Sequence, residues 1–182
     1  MRDFLKVGAT RLHGRLITMN TEQKIVKELQ SISQSLGVIS TVHEDAKPQA
    51  ATVYYVCNDA LDIFFVTRSS SRKYKNIQSN SNVSFVITNE RPPKTIQLEG
   101  KASEVTDPDE QITYYDMLMA RATESNPMPP VSQIATGELV FLKMTTTWAR
   151  FGDFEVMKEG DKFIETNLTF SNDTAEHWNM FS

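Results

Sequence analysis

Hydrophobic positions along the chain switch between two periods. Between Asn20 and Gly37, Ile25, Val26, Leu29, Ile32 and Leu36 recur at three- and four-residue intervals, which predicts an amphipathic helix. Asn20 followed by Gln23 predicts a reciprocal cap at its start, and Gly37 predicts its end. The period then shortens. Runs of β-branched and aromatic residues at 38–43, 49–57 and 61–67 predict strands, with Asn58 and Asp59 turning between the last two. Residues 52–56 and 63–66 are apolar at successive positions, as in strands covered on both faces within a closed sheet. Residues 83–88, 94–105, 138–145 and 147–151 predict four more strands, with a hairpin extension taking in Val156, Phe163 and Ile164. In 94–105, Ile96, Leu98, Gly100 and Ala102 share one face, and a glycine there predicts a bulge or a close backbone approach.

Two more helices punctuate these strands. Ser69, Ser70 and Ser71 precede a short helix opening at Arg72, and Asp107, Pro108, Asp109 and Glu110 form a strong start for another that runs to about Glu124. Six or seven mostly antiparallel strands with helices between them predict a mainly β fold, a closed barrel with accessory helices. The expected domain spans 20–166. An extension, 1–19, precedes it, and a polar tail, 167–182, carries Trp178, Met180 and Phe181 for docking on the barrel or on a partner. Arg2, Lys6, Arg11 and Arg15 alternate with apolar residues in the manner of a transit peptide. A disordered extension, or a natural start at Met19, is the simpler expectation.

Composition narrows the function classes. The 182 residues carry a net charge of −4, so no global basic field recruits nucleic acid, and any bound anion must be held locally. No apolar run approaches the roughly 20 residues that cross a bilayer. A single cysteine, Cys57, excludes an intrachain disulfide and a cysteine-based zinc site, and a cytoplasmic protein is expected. Cys57 reads as a small buried hydrophobe, and Tyr54, Tyr55, Tyr114 and Tyr115 as core or interface aromatics. His43 beside Glu44 and Asp45 lacks metal-ligand geometry on a strand, where neighbours point to opposite faces, so no metal site is expected.

The segment from Phe64 to Ile77 is the most informative. A buried strand ends at Thr67, a serine-rich turn follows, and the next helix opens with Arg72 and Lys73. A helix N-terminus presents unpaired N–H groups and about half a positive charge, so two cations there oppose its dipole. A bound phosphate would remove that conflict through charge-assisted hydrogen bonds. Alternatively, the serines only cap the helix and the cations are solvated.

The order of these pieces resembles the pyridoxamine 5′-phosphate oxidase-like FMN-binding split-barrel family. The likeness runs from Thr21 to Asp153. It rests on Phe65-Val66-Thr67, Ser71-Arg72-Lys73, Asn80 to Val83, Leu98 to Ala102 and Trp148 to Asp153, the last being similar to the general stress protein branch. The resemblance implies a split β-barrel that binds FMN at a two-fold interface. Thr67, Ser71, Arg72 and Lys73 would hold the phosphate and ribityl chain. Thr52, Val53 and Val66 would line the ring, Gln97 would approach its polar edge, and Trp148 and Arg150 would reach the flavin of a second subunit. Trp148 reads equally well as a core aromatic, whereas an arginine between two aromatics is costly to leave unpaired.

The departures bear on activity. Enzymes that oxidise vitamin B6 carry basic residues on the strand that here reads Ala50 to Val56, and end on an Arg-Leu-His segment. The only such triplet here is Arg11-Leu12-His13, at the opposite end. Authentic pyridoxamine phosphate oxidation is therefore not expected, while flavin binding is. The expected function is a flavin-dependent oxidoreductase acting on a small molecule. A flavin-binding stress protein without turnover competes with it, as does a barrel holding haem or a deazaflavin. Haem requires an axial ligand, and His43 is the one nearby histidine.

Overall fold

The structure is a computed structural model and describes residues 10–12, 15–17, 20–31, 36–155 and 163–168. In chain order the elements are β1 (Thr10–Leu12), β2 (Arg15–Ile17), α1 (Thr21–Ser31), β3 (Leu36–Val42), β4 (Pro48–Tyr54), β5 (Val56–Cys57) and β6 (Ile63–Arg68). Then follow α2 (Arg72–Ser79), β7 (Asn82–Glu90), β8 (Pro93–Glu104), α3 (Pro108–Ser125), β9 (Leu139–Asp153) and β10 (Phe163–Asn167). β1 and β2 form a separate small hairpin. The rest of the expected extension, and Val156, Trp178, Met180 and Phe181, lie outside the described residues.

The main sheet has eight strands in the order β4-β3-β7-β8-β9-β6-β5, with β10 added on β9, and its pairings are antiparallel. β9 is its spine. β8 runs along one edge of β9, while the other edge is divided between β6, on Leu139 to Met144, and β10, on Trp148 to Gly152. The sheet curls into the half-barrel of a split-barrel fold. Phe65, Phe85, Ile39, Ile63, Ile87, Ile96 and Leu98 fill its interior, closed by Ile25 and Leu29 of α1. Alternation sends Phe64 and Val66 to the other face of β6, where α3 covers them, and Phe64 stacks on Tyr114 with ring centroids 3.3 Å apart. Both faces of β6 are thus apolar for separate reasons, as the unbroken run Ile63 to Val66 predicts.

The helix starts follow the sequence closely. Asn20 N–H donates to Gln23 Oε1 at 3.1 Å and Gln23 N–H to Asn20 Oδ1 at 2.8 Å. Asp107 Oδ1 accepts from Asp109 N–H at 2.9 Å, with Pro108 in the first turn. Four expectations are corrected. Helix α1 is described as far as Ser31, Ile32 lies outside the described residues, and Leu36 and Gly37 lie in β3, Gly37 opposite Val53. There it is glycine for steric reasons, because a Cβ would stand 2.3 Å from the Phe85 ring. The strand expected over 49–57 divides at Tyr55 into β4 and β5. The Asn58 turn extends to Asp62, with Asn58 Oδ1 accepting from the Ala60 and Asp62 amides at 3.0 and 2.9 Å. The two strands expected over 138–151 are one.

That single strand carries a bulge. Gly100 faces Thr146 while Glu99 faces Trp148, so Thr147 is the extra residue. The bulge reverses the alternation of β9: Leu142, Met144 and Thr146 are buried before it, and Ala149 and Phe151 after it. Trp148 and Arg150 are therefore turned off the core-facing side that a strict period of two would give them, as bulges do when they re-aim a side chain.

Candidate functional site

The serine-rich turn joins β6 to α2. Ser71 N–H donates to the Arg68 carbonyl at 3.0 Å, and Ser71 is the N-cap of α2, accepting from Tyr74 N–H at 3.3 Å. Thr67 Oγ1 donates to Ser71 Oγ at 3.1 Å, and Lys73 Nζ donates to Thr67 Oγ1 at 3.1 Å. Thr67 is buried and Lys73 half-buried, while Arg72 is exposed at the first helical position. Among the described residues no carboxylate forms an ion pair with Lys73. An ammonium carries three N–H donors and a hydroxyl one, so Lys73 keeps donors to spare, and Ser71, which accepts twice, keeps its own proton to give. With the unpaired amides of the first helical turn, this cluster can hold an anion.

Partial burial, uncompensated by a carboxylate, lowers the Lys73 pKa from its ordinary 10.5. The folded chain therefore binds fewer protons here than the unfolded one, and without a bound anion this group adds stability as pH rises toward 10.5. Anion affinity runs the other way, because it needs the charged amine. Affinity for a phosphate monoester should rise as the ester becomes dianionic near pH ~6. It should then fall on the alkaline side before pH 10.5 is reached. Titration calorimetry across pH checks this, and Lys73→Arg should move the alkaline loss upward.

Helix α2 is fastened on two sides. Asn76 Nδ2 donates to Thr41 Oγ1 at 2.9 Å and to Gln49 Oε1 at 3.2 Å, and Asn76 and Thr41 are each 2% exposed. On the opposite side the Tyr74 hydroxyl donates to Glu104 and accepts from Gln78 Nε2 at 2.9 Å. Sequence reading gave none of these a role. Asparagine is a poor helix former, and one set three residues after Lys73 and next to buried Ile77 was the available signal.

The remaining candidates fall elsewhere. Thr52, Val38, Val86, Gln97 and Arg150 are register partners from strand to strand, a row spanning β4 to β9 over about 19 Å. This row lies on the outer side of the sheet, with Trp148 one step along from Arg150. Val53 faces the core and Val66 packs toward α3, so neither shares that surface. Thr67 pairs with Val140 and Gln97 with Arg150, which separates the two groups by about 30 Å of path along β9. Arg150 finds compensation within its own chain: its guanidinium lies 3.7 Å from the Phe163 ring centre, and its Nε is 3.2 Å from Glu165 Oε1 as an ion pair without hydrogen-bond alignment.

Other chemistry is scarce. No group of three or more metal-ligating side chains occurs among the described residues. Cys57 is buried, which pushes its thiol up to about 12 and leaves it protonated at neutral pH. His43 lies in the turn after β3, where its Nδ1 accepts from Asp45 N–H at 3.2 Å. No helix among the described residues is long and apolar enough to cross a membrane.

Comparison with known proteins agrees with this architecture. A family profile for pyridoxamine 5′-phosphate oxidase matches residues 21–151. No curated protein sequence matches the chain. Among solved structures, general stress protein 26 from Bacillus anthracis is 25% identical, with a TM-score of 0.53, covering 73% of this chain and 94% of that one. A pyridoxamine 5′-phosphate oxidase-related, FMN-binding protein from Nostoc punctiforme is 11% identical, with a TM-score of 0.56, covering 84% and 98%. A heme-binding protein from Mycobacterium smegmatis is 13% identical, with a TM-score of 0.63, covering 83% of this chain and 60% of that one. With its split barrel and a match over residues 21–151, the chain belongs to the pyridoxamine 5′-phosphate oxidase family.

Proposed function

We propose that this protein binds FMN and works as a flavin-dependent oxidoreductase on a small molecule. The observation that carries the reading is the Lys73–Thr67–Ser71 chain of hydrogen bonds: a partly desolvated ammonium with no carboxylate partner among the described residues, at the capped start of a helix. These residues fit a phosphate-bearing guest, because Lys73 and Ser71 keep free donors and Arg72 adds a second cation. Bound there, FMN would supply hydride or electron transfer. The chain would supply charge compensation at the phosphate, and Thr52, at the far end of the outer row, a polar contact toward the ring. Among the described residues no paired acid and base lies at this cluster, so proton transfer is not assigned to it.

The working form is proposed to be a homodimer. Leu36 and Val38 on the outer side of β3 are 44% and 40% exposed, and a second copy placed there would bury them. It would also bring its own Trp148 and Arg150 near the flavin, whereas the same chain's Arg150 stands about 19 Å across the row from Thr52. Cytoplasmic residence and the absence of nucleic-acid partners belong to the same reading. Pyridoxamine phosphate itself is not the proposed substrate, since Ala50 to Tyr54 offers no cation for it.

The experiment is a titration of the purified protein with FMN and, separately, riboflavin, followed by visible absorbance and by sedimentation. FMN should bind one per chain in a dimer, at least a hundredfold tighter than riboflavin. Anaerobic reduction of the bound flavin by NADH or NADPH, with turnover on an acceptor, would support the oxidoreductase. Reduction without turnover would leave a flavin-binding stress protein. A Soret band on haem addition with no flavin uptake would overturn the assignment.

A further inference from the structure

We infer that Asn76 is a positioning residue that sets the phosphate cluster against the sheet, and that it does so by reading both strands of the β3–β4 hairpin. The inference deepens the proposed FMN site and rests on it. An amide nitrogen has two hydrogens, and Asn76 spends both on neighbouring strands: Thr41 Oγ1 at 2.9 Å and Gln49 Oε1 at 3.2 Å. Thr41 and Gln49 are register partners across β3 and β4, so one side chain bridges a backbone-defined pair. Lys73, Asn76 and Ile77 lie on the same inward side of α2, at three- and four-residue spacing, with Arg72 and Lys75 outward.

The geometry links the two halves of the candidate site. Gln49 stands three residues before Thr52 on β4, about 10 Å along the strand and on its opposite face, so what the two share is the backbone of β4. Asn76 stands one helical turn after Lys73. The bridge therefore fixes the spacing between the ammonium that would take the phosphate and the strand edge that would meet the ring. A ligand spanning both points gains from a fixed spacing, and a ligand engaging only the ring gains nothing from it. The Tyr74–Glu104 bond restrains the opposite flank of α2, so loss of the Asn76 bridge would let the helix shift without releasing it.

The test uses Thr41→Val, which keeps the shape and removes the acceptor, and Thr41→Ser, which keeps the acceptor. Wild-type protein, both variants and Asn76→Leu are titrated with FMN and with riboflavin. Thr41→Val and Asn76→Leu should lose FMN affinity by about tenfold, equivalent to ~1.4 kcal/mol, with riboflavin affinity unchanged. Thr41→Ser should retain the wild-type ratio. Without ligand, amide hydrogen exchange over residues 72–79 should quicken in Thr41→Val while β7 and β8 stay protected. Unchanged exchange in α2, or equal losses for both ligands, would overturn the positioning role. A wild-type protein that does not prefer FMN would instead overturn the phosphate site, so the two failures are distinguishable.

Discussion

Replacing Arg72 and Lys73 together by alanine should weaken FMN binding at least a hundredfold and leave the fold and its association state intact. Each cation is expected to contribute a charge-assisted hydrogen bond worth about 1.5–3 kcal/mol, so the pair exceeds the ~2.7 kcal/mol that a hundredfold represents. The two singles should differ. Lys73 is half-buried and already placed by Thr67, so its change should carry the larger share. Arg72 is exposed, where solvent screening reduces what a charge contributes. Equilibrium dialysis with FMN measures the loss, and sedimentation checks association. Retained FMN affinity in the double variant would remove the phosphate from this turn.

Gly100→Ala should be the most damaging glycine substitution in the sheet. A Cβ at Gly100 would stand 2.2 Å from the Thr145 carbonyl oxygen and 2.9 Å from its carbon, and both are backbone atoms. A side chain can rotate away from such a clash, but a paired strand has to shift. The cost should reach about 3 kcal/mol, the upper end for overpacking, and lower Tm by roughly 6–12 °C. Gly137→Ala is the control, since nothing lies within 4 Å of the added atom, and it should leave Tm nearly unchanged. The effect reaches the candidate site because the bulge at Glu99 and Gly100 accommodates Thr147 and so orients Trp148 and Arg150. A Gly100→Ala protein that melts like the wild type would show that β9 tolerates another register there.

These two residues also show where sequence reading succeeds and where it stops. Gly100 was legible as a bulge or close approach because three apolar residues fix its face and glycine interrupts them. Its consequence for Trp148 was not legible, since alternation counted along β9 does not reveal an extra residue opposite another strand. Gly37 misled for a related reason. Its position after a helical repeat imitates a C-terminal stop, and the need for glycine comes from Phe85, nearly fifty residues away in sequence. Caps at Asn20, Asp107 and Ser71 were readable because each is settled within four residues. Thr67, Ser71 and Lys73 come together for the same local reason. Asn76 escaped because its partners, Thr41 and Gln49, are set by tertiary packing. Arg150 was singled out as costly to leave unpaired, and the fold supplies Glu165 and Phe163 for it from a strand whose pairing sequence alone did not establish.

The phosphate is the part of the ligand on which everything else depends, and titrating unmodified protein with FMN alongside riboflavin isolates it, because the two differ only there. Preferential uptake of the phosphorylated form, at one equivalent per chain, is the expected result. Equal uptake of both, or of neither, would contradict the account.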